Sequence, residues 1–138
     1  MYDFPVAATF PQMPLSVSSA RMTSPIFKGD KFYLMNIWSS WCAPCRDEHK
    51  FLLNLSTQKN LKIIGLNYKD KKKNATTFLN ELNNPYDFIL SDADGTIAIE
   101  WGAYGVPESF LLYKNKIIKK IIGPIDQNSL LEIKELIQ

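Results

Sequence analysis

The segment Phe32–Cys45, FYLMNIWSSWCAPC, decides the fold of this chain. Its first seven residues are almost continuously apolar, which is typical of a strand buried on both faces. Pro44 is tolerated in the first turn of a helix, and apolar residues recur behind it at helical spacing, at Phe51, Leu52 and Leu55. The sequence therefore predicts a strand over 31–38, a helix over 43–58, and the chain's two cysteines at the junction between them.

The rest of the chain predicts further alternation of strands and helices. Apolar patterning and turn residues indicate a strand over 61–68, a helix over 74–82, a turn over 92–95, a short helix over 96–101, strands over 109–113 and 117–122 joined as a hairpin, and a last helix capped by Asp126. The order β-α-β-α-β-β-α is that of the thioredoxin-like fold. We therefore expect an α/β architecture, with a central mixed β-sheet flanked by helices.

Length and composition favour one compact domain. The chain has 138 residues, of which 46% are hydrophobic and 12% aromatic, enough for one core and too few for two full domains. The first thirty residues contain four prolines and a serine-rich patch. We predict a single domain over 1–138, in which 1–30 forms an irregular arm with short edge strands.

Charge and hydropathy exclude two classes of partner. The formal net charge of +2 is too small to indicate electrostatic capture of nucleic acid or of an acidic membrane surface. No segment approaches the roughly 18 to 20 apolar residues that span a bilayer, and the start lacks the features of a signal peptide. We expect a soluble domain, either complete as given or a mature form that has lost a leader or an anchor.

The sequence Cys42-Ala43-Pro44-Cys45 indicates a redox-active dithiol. At a helix N-terminus the unpaired N–H groups favour a thiolate, so Cys42 is the predicted nucleophile and Cys45 the resolving thiol. A disulfide that closes so short a loop stabilises a fold less than one that closes a longer loop, and an exposed thiolate at a helix start is reactive, so a purely structural role is the poorer explanation. Because Ala43 and Pro44 add no cation, we expect a reductant with a potential nearer ~−270 mV than ~−120 mV.

Two alternatives stay open for the same cysteines. Cys42, Cys45 and His49 lie at i, i+3 and i+7 on one helix face, so the chain could be a copper or zinc chaperone. Against this, a structural zinc site needs four ligands, and the chain has no other Cys or His. We therefore treat His49 as a partly exposed helix residue and expect no metal or other cofactor beyond the redox disulfide. The second alternative is a binding domain that uses the cysteines structurally.

Two longer segments resemble one family within the thioredoxin superfamily. Residues 36–49, NIWSSWCAPCRDEH, and 104–110, YGVPESF, are similar to the thiol:disulfide interchange proteins of cytochrome c maturation, the CcmG/DsbE type. The resemblance implies a reductase that keeps apocytochrome c thiols reduced, directly or through a partner dithiol protein of the pathway. It implies electrons from a membrane thiol reductant of the DsbD or CcdA kind, and a periplasmic location with a tether to the inner membrane.

The resemblance also implies roles for individual residues. Val106-Pro107 would form a cis-proline loop that packs against the dithiol and pairs with substrate, and Trp41, Ala43, Pro44 and Val106 would contact the partner. General thioredoxins carry a buried Asp where this chain has Asn36, and Asn cannot titrate. The family places carboxylates at positions that match Glu48 and Glu108, which would handle protons instead. A broader extracytoplasmic thioredoxin-like reductase is the alternative within the same enzyme class.

Overall fold

A computed structural model describes residues 30–114 and 116–138 of the chain. The predicted irregular arm over 1–30 therefore lies outside the described residues, apart from Asp30. The single domain over 1–138 stays a prediction for the same reason. The remaining elements can all be compared with the structure.

Nine helices and strands make up the described part of the chain. They are β1 (Phe32–Trp38), α1 (Ala43–Leu55), β2 (Leu61–Tyr68), α2 (Lys72–Leu82), β3 (Phe88–Asp92), α3 (Thr96–Glu100), β4 (Glu108–Tyr113), β5 (Lys116–Ile122) and α4 (Gln127–Leu136). The five strands form one sheet in the order β3-β2-β1-β4-β5. None of the helices described is long and apolar enough to cross a membrane.

The sheet is mixed, as predicted. Strand β1 pairs in parallel with β2 and antiparallel with β4, while β2 pairs in parallel with β3 and β4 antiparallel with β5. The α1 connection makes β1 and β2 a βαβ unit, which brings the carboxyl ends of both strands to the same edge of the sheet. The predicted thioredoxin-like fold is confirmed.

Strand β3 was missing from the predicted order of elements. It has only five residues, and its inner residues do not alternate cleanly between apolar and polar, so the sequence alone gives no period-2 signal. The segment is a strand because it pairs in parallel with β2. In this pairing Phe88 lies opposite Ile64, and Asp92 lies opposite Tyr68. The predicted helix boundaries also shift slightly, because α1 ends at Leu55 and α2 begins at Lys72.

The sheet carries a hydrophobic cluster on each face, and β1 contributes to both. Leu34 and Trp38 belong to the cluster that contains both cysteines, together with α1 and α4 residues such as Leu52 and Ile133. The alternate β1 residues, Tyr33, Met35 and Ile37, belong to the second cluster, with Trp101 and Phe110. Each fully buried large apolar side chain contributes about 1.5–3 kcal/mol to folding. Both faces of β1 are therefore packed in the core, and the strand leads directly to the cysteine pair.

Candidate active site

The cysteine pair forms a disulfide at the start of α1. Cys42 is the N-cap residue, and its Sγ accepts a hydrogen bond of 3.2 Å from the backbone N–H of Cys45. The two Cα atoms are 5.3 Å apart. Exposed fractions are 4% for Cys42 and 1% for Cys45, so the expectation of an exposed residue at this helix start is wrong for the oxidised state. Both cysteines are thus buried, and their predicted roles as nucleophile and resolving thiol stay predictions.

The loop before β4 contains the predicted cis peptide bond. Val106-Pro107 is cis, and the carbonyl of Pro107 accepts a hydrogen bond of 3.0 Å from the N–H of Gly123. Val106 is partly buried and packs against the hydrophobic cluster that includes Cys42 and Cys45. The turn before β4 therefore packs against the same hydrophobic cluster to which both cysteines belong.

A buried polar network lies behind the disulfide and is centred on Asn36. The Nδ2 of Asn36 donates to Glu48 Oε2 at 2.9 Å and to Ser109 Oγ at 3.0 Å. The Tyr86 hydroxyl donates to Asn36 Oδ1 at 2.7 Å, and the N–H of Ile125 donates to Glu48 Oε1 at 3.0 Å. Asn36, Glu48 and Ser109 are each fully buried. Both N–H groups of the Asn36 amide are thus bonded and its oxygen accepts one bond, an arrangement that a carboxylate could not make because it lacks donors.

Burial perturbs the acid–base chemistry of this network. Desolvation raises the pKa of Glu48 from 4.5 to about 7, and the hydrogen bonds from Ile125 and Asn36 oppose this shift. Burial also raises the pKa of Tyr86 well above its usual range, and the nearby Glu48 charge acts in the same direction. Glu48 is three residues after Cys45 on α1, so a carboxyl with a pKa of about 7 lies one helical turn from Cys45.

The structure places Glu108 on the other face of the sheet. Glu108 pairs with Ile37 across β1 and β4, so its side chain shares the face of Ile37 and not that of Asn36. Its Oε2 accepts from the backbone N–H groups of Tyr104, at 2.6 Å, and Gly105, at 3.1 Å, and its Oε1 lies 3.7 Å from Lys120 Nζ. Glu108 thus holds the loop that leads to the cis-proline. Its predicted proton role stays a prediction.

His49 differs from its expected environment. It is 3% exposed, so the expectation of a partly exposed residue is wrong. Its Nε2 lies 2.7 Å from the carbonyl oxygen of Asn83, its ring meets the Phe78 ring edge-on, and burial lowers its pKa. Over residues 30–114 and 116–138, no three His, Cys, Asp or Glu side chains are grouped closely enough to hold a metal ion. The described arrangement therefore ties His49 to the α2 C-terminus.

The predicted partner-contacting residues surround the disulfide at the surface. Trp41 is 59% exposed, and Ala43 and Pro44 are exposed on the first turn of α1. Trp38, by contrast, is buried and stacks on Tyr86. A cleft of about 330 Å³ opens beside Trp41 and is lined by Ser40, Trp41, Arg46, Asn74, Thr77, Phe78 and Glu81. Two residues of the cleft lining, Ser40 and Trp41, directly precede Cys42 in the chain.

Sequence reasoning missed several polar residues of the site, among them Ser109, Tyr86 and Asp70. Tyr86 reaches Asn36 from the loop before β3, and Asp70 reaches Ser40 from the loop after β2. Each contact joins residues at least thirty positions apart, at the ends or edges of neighbouring strands. Asp is common in turns that follow strands, so nothing in the sequence distinguishes Asp70 from an ordinary turn residue.

Comparison with known proteins identifies the family of this chain. A family model described as Redoxin matches residues 5–136. The chain belongs to the Redoxin family. This redoxin is 46% identical over 112 residues to the thiol:disulfide interchange protein CycY of Rhizobium leguminosarum bv. viciae, an alignment that covers 80% of this chain and 60% of CycY. It is 47% identical over 108 residues to the thiol:disulfide interchange protein DsbE of Pseudomonas aeruginosa, covering 78% and 59% of the two chains.

Solved structures agree on the fold of this redoxin. The crystal structure of StoA from Bacillus subtilis superposes with a TM-score of 0.63 at 24% identity, covering 82% of this chain and 87% of StoA. A thiol:disulfide interchange protein of the thioredoxin family from Chlorobium tepidum gives a TM-score of 0.64 at 18% identity, covering 78% and 80%. The predicted resemblance to DsbE-type proteins is confirmed. The chain spans about 60% of the length of the two relatives that it matches.

Proposed function

We propose that this chain is a thiol:disulfide oxidoreductase that reduces protein disulfides in cytochrome c maturation. The observation that carries the proposal is the Cys42–Cys45 disulfide at the N-terminus of α1, with the cis Val106-Pro107 turn against the same cluster. The identity of 46% and 47% to proteins named thiol:disulfide interchange protein supports the same chemistry. Reactive cysteines are expected in such sites because helix N-termini stabilise the thiolate.

The reaction would proceed by two exchange steps. In the reduced chain, the Cys42 thiolate attacks one sulfur of the partner's disulfide, a mixed disulfide forms, and the partner's other sulfur leaves as a thiolate that takes up a proton. Cys45 then loses its proton and attacks Cys42 Sγ, which releases the second partner sulfur as a thiolate and restores the Cys42–Cys45 disulfide. Two electrons pass from the chain to the partner, which departs as a dithiol.

Glu48 is the group best suited to take the proton from Cys45. Its pKa of about 7 makes it an effective general base near neutral pH, and it follows Cys45 by one helical turn on the buried side of α1. Asn36 cannot titrate, but its hydrogen bond to Oε2 favours the charged form of Glu48. In this proposal Glu48 performs the proton transfer, while Glu108 acts on the cis-proline loop.

The partners and location follow from the resemblance to the DsbE type. The substrate would be apocytochrome c or a dithiol protein of the same pathway, and electrons would come from a membrane thiol reductant of the DsbD or CcdA kind. We propose a periplasmic site of action, with the domain tethered to the inner membrane in the full-length protein. The small formal net charge of +2 supports a protein partner in preference to nucleic acid.

Partner trapping tests this function. The Cys45→Ser variant lacks the resolving thiol, so Cys42 should stay covalently bound to its substrate. We expect apocytochrome c or a thiol protein of its maturation pathway in the trapped mixed disulfide, identified by mass spectrometry after non-reducing separation. The Cys42→Ser variant is the matched control and should trap nothing. A broad set of unrelated secreted proteins would instead indicate the general extracytoplasmic reductase.

A further inference from the structure

Two loops meet next to the nucleophile, one after β1 and one after β2. The Asp70 carboxylate accepts from both the backbone N–H of Ser40, at 2.7 Å, and the Ser40 hydroxyl, at 2.8 Å. One residue away on each loop, the indole Nε1 of Trp41 donates to the carbonyl of Lys69 at 2.9 Å. We call these four residues, Ser40, Trp41, Lys69 and Asp70, the Asp70 clasp.

The Asp70 carboxylate accepts four hydrogen bonds in all. Besides the two bonds from Ser40, its carboxylate accepts from Asn67 Nδ2 at 3.1 Å and from the N–H of Lys71 at 2.8 Å. Four donors therefore converge on two oxygens, and each bond is strengthened by the negative charge. An Asn in this place would have one acceptor oxygen and would leave donors of the clasp unpaired.

The other half of the clasp depends on a strained backbone. Lys69 has a φ of 45°, in the left-handed region that non-glycine residues seldom occupy. Such a conformation persists only where the surroundings enforce it, and here the Lys69 N–H is bonded to the Asp92 carbonyl at 2.9 Å. In this conformation the Lys69 carbonyl receives the Trp41 indole.

The clasp acts on the surface that faces a partner. Trp41 precedes Cys42 directly, is 59% exposed, and lies at the rim of the 330 Å³ cleft together with Ser40. An exposed aromatic ring whose orientation is fixed before binding loses less conformational entropy when a partner binds. The Trp41 indole N–H is bonded to Lys69, and the preceding residue, Ser40, is bonded to Asp70. Trp41 is therefore held in one orientation before a partner binds.

We propose that Asp70 is a positioning residue for recognition of the protein partner, acting through Ser40 and Trp41. This rests on the proposed function, since the partner is taken to be a polypeptide disulfide. The proposed exchange chemistry uses Cys42, Cys45, Glu48 and the helix N-terminus, and none of these is among the hydrogen-bond partners of Asp70. Loss of the clasp should therefore weaken binding of a polypeptide disulfide and leave exchange with a very small disulfide unchanged.

The experiment compares two disulfide substrates with four proteins. The substrates are an oxidised peptide with a Cys-x-x-Cys-His sequence, the haem-attachment pattern, and hydroxyethyl disulfide, which is too small to reach the cleft and Cys42 together. The proteins are the reduced wild-type chain, Asp70→Asn, Ser40→Ala and Asp126→Asn. The last is a matched control, because Asp126 accepts from the N–H and hydroxyl of Ser129 at the start of α4 in the same way.

For Asp70→Asn we expect the second-order rate constant for a single turnover with the peptide to fall five- to tenfold through a higher half-saturating peptide concentration, with less than a twofold change for hydroxyethyl disulfide. Ser40→Ala should show a weaker effect of the same kind, and Asp126→Asn should match wild type on both substrates. An equal loss on both substrates, or no loss on either, would overturn the proposal. If wild-type protein reduces hydroxyethyl disulfide but not the peptide, the cytochrome c assignment fails. Insulin then replaces the peptide, and the half-saturating insulin concentrations of Asp70→Asn and wild type are compared. A higher value for Asp70→Asn supports the role of Asp70, and equal values overturn it.

Discussion

At the scale of single residues, the buried Glu48 carboxyl has the strongest consequence for the chemistry. Its two oxygens are both hydrogen-bonded, yet desolvation outweighs these bonds and moves the pKa to about 7. A group of this kind holds its proton in the folded protein at pH values where the unfolded chain has already released it. Proton handling and stability are therefore linked at this residue.

This linkage predicts how Glu48→Gln changes the pH dependence of stability. Because the folded pKa is raised above 4.5, the folded state binds more protons between about pH 4.5 and 7, and stability must fall as the pH rises through this window. From pH 5 to pH 8 the Glu48 contribution should lower the free energy of unfolding by roughly 2 to 3 kcal/mol. The Glu48→Gln variant, which cannot titrate, should lack this decline.

Urea denaturation of both proteins at several pH values measures the difference. His49 and the exposed acids titrate in both proteins, so the subtraction isolates position 48. The absolute stability of the variant is not the readout, because Gln can satisfy only one of the two donors that Glu48 accepts from. Parallel stability curves for the two proteins between pH 5 and 8 would contradict a raised pKa at Glu48.

At the scale of elements, the packing of β2 against the site leaves no room for a side chain at Gly65. A Cβ there would lie 2.8 Å from the Trp38 indole nitrogen and 2.8 Å from Tyr86 ring atoms. Trp38 and Tyr86 stack on each other, and the Tyr86 hydroxyl holds Asn36. The glycine in the middle of β2 therefore permits the approach of the two rings that support the buried network.

Gly65→Ala should consequently destabilise the protein by about 1–3 kcal/mol, the usual cost of overpacking a core. Chemical denaturation measures this change. Gly105→Ala is the matched control, since its Cβ would meet nothing within 4 Å, and it should shift the free energy of unfolding by no more than about 0.5 kcal/mol. Equal effects of the two substitutions would show that the rings near Gly65 can move aside.

The elements also show which parts of this fold a sequence can predict. The runs that form β1 and β2 and the cysteine pair at the start of α1 were predicted closely, because apolar periodicity and helix-start chemistry are local. Strand β3 was not predicted, since only pairing with β2 defines it. His49 was placed wrongly because its burial depends on Phe78 of α2. The Asn36 network and the Asp70 clasp join distant residues and have no local signature.

At the scale of the whole molecule, the direction of electron flow is linked to the relative stability of the two redox forms. A pair that reduces others is one whose disulfide is stabilised by the fold, whereas in a strong oxidant the fold stabilises the dithiol. Two opposing effects act in this chain. Cross-linking residues three positions apart stabilises the oxidised protein by about 2 kcal/mol through the unfolded state. The α1 N-terminus stabilises the reduced Cys42 thiolate by about 0.3–1 kcal/mol.

The larger effect favours the disulfide, and Ala43 and Pro44 provide no cation that would reverse the balance. We therefore predict that the oxidised protein has a free energy of unfolding about 1 kcal/mol above that of the reduced protein. Urea denaturation with and without excess dithiothreitol at pH 7 measures this difference, and the Cys45→Ser variant should show no dependence on the reductant. If the reduced protein were the more stable form, the fold would stabilise the dithiol, and the chain would act as an oxidant of its partners.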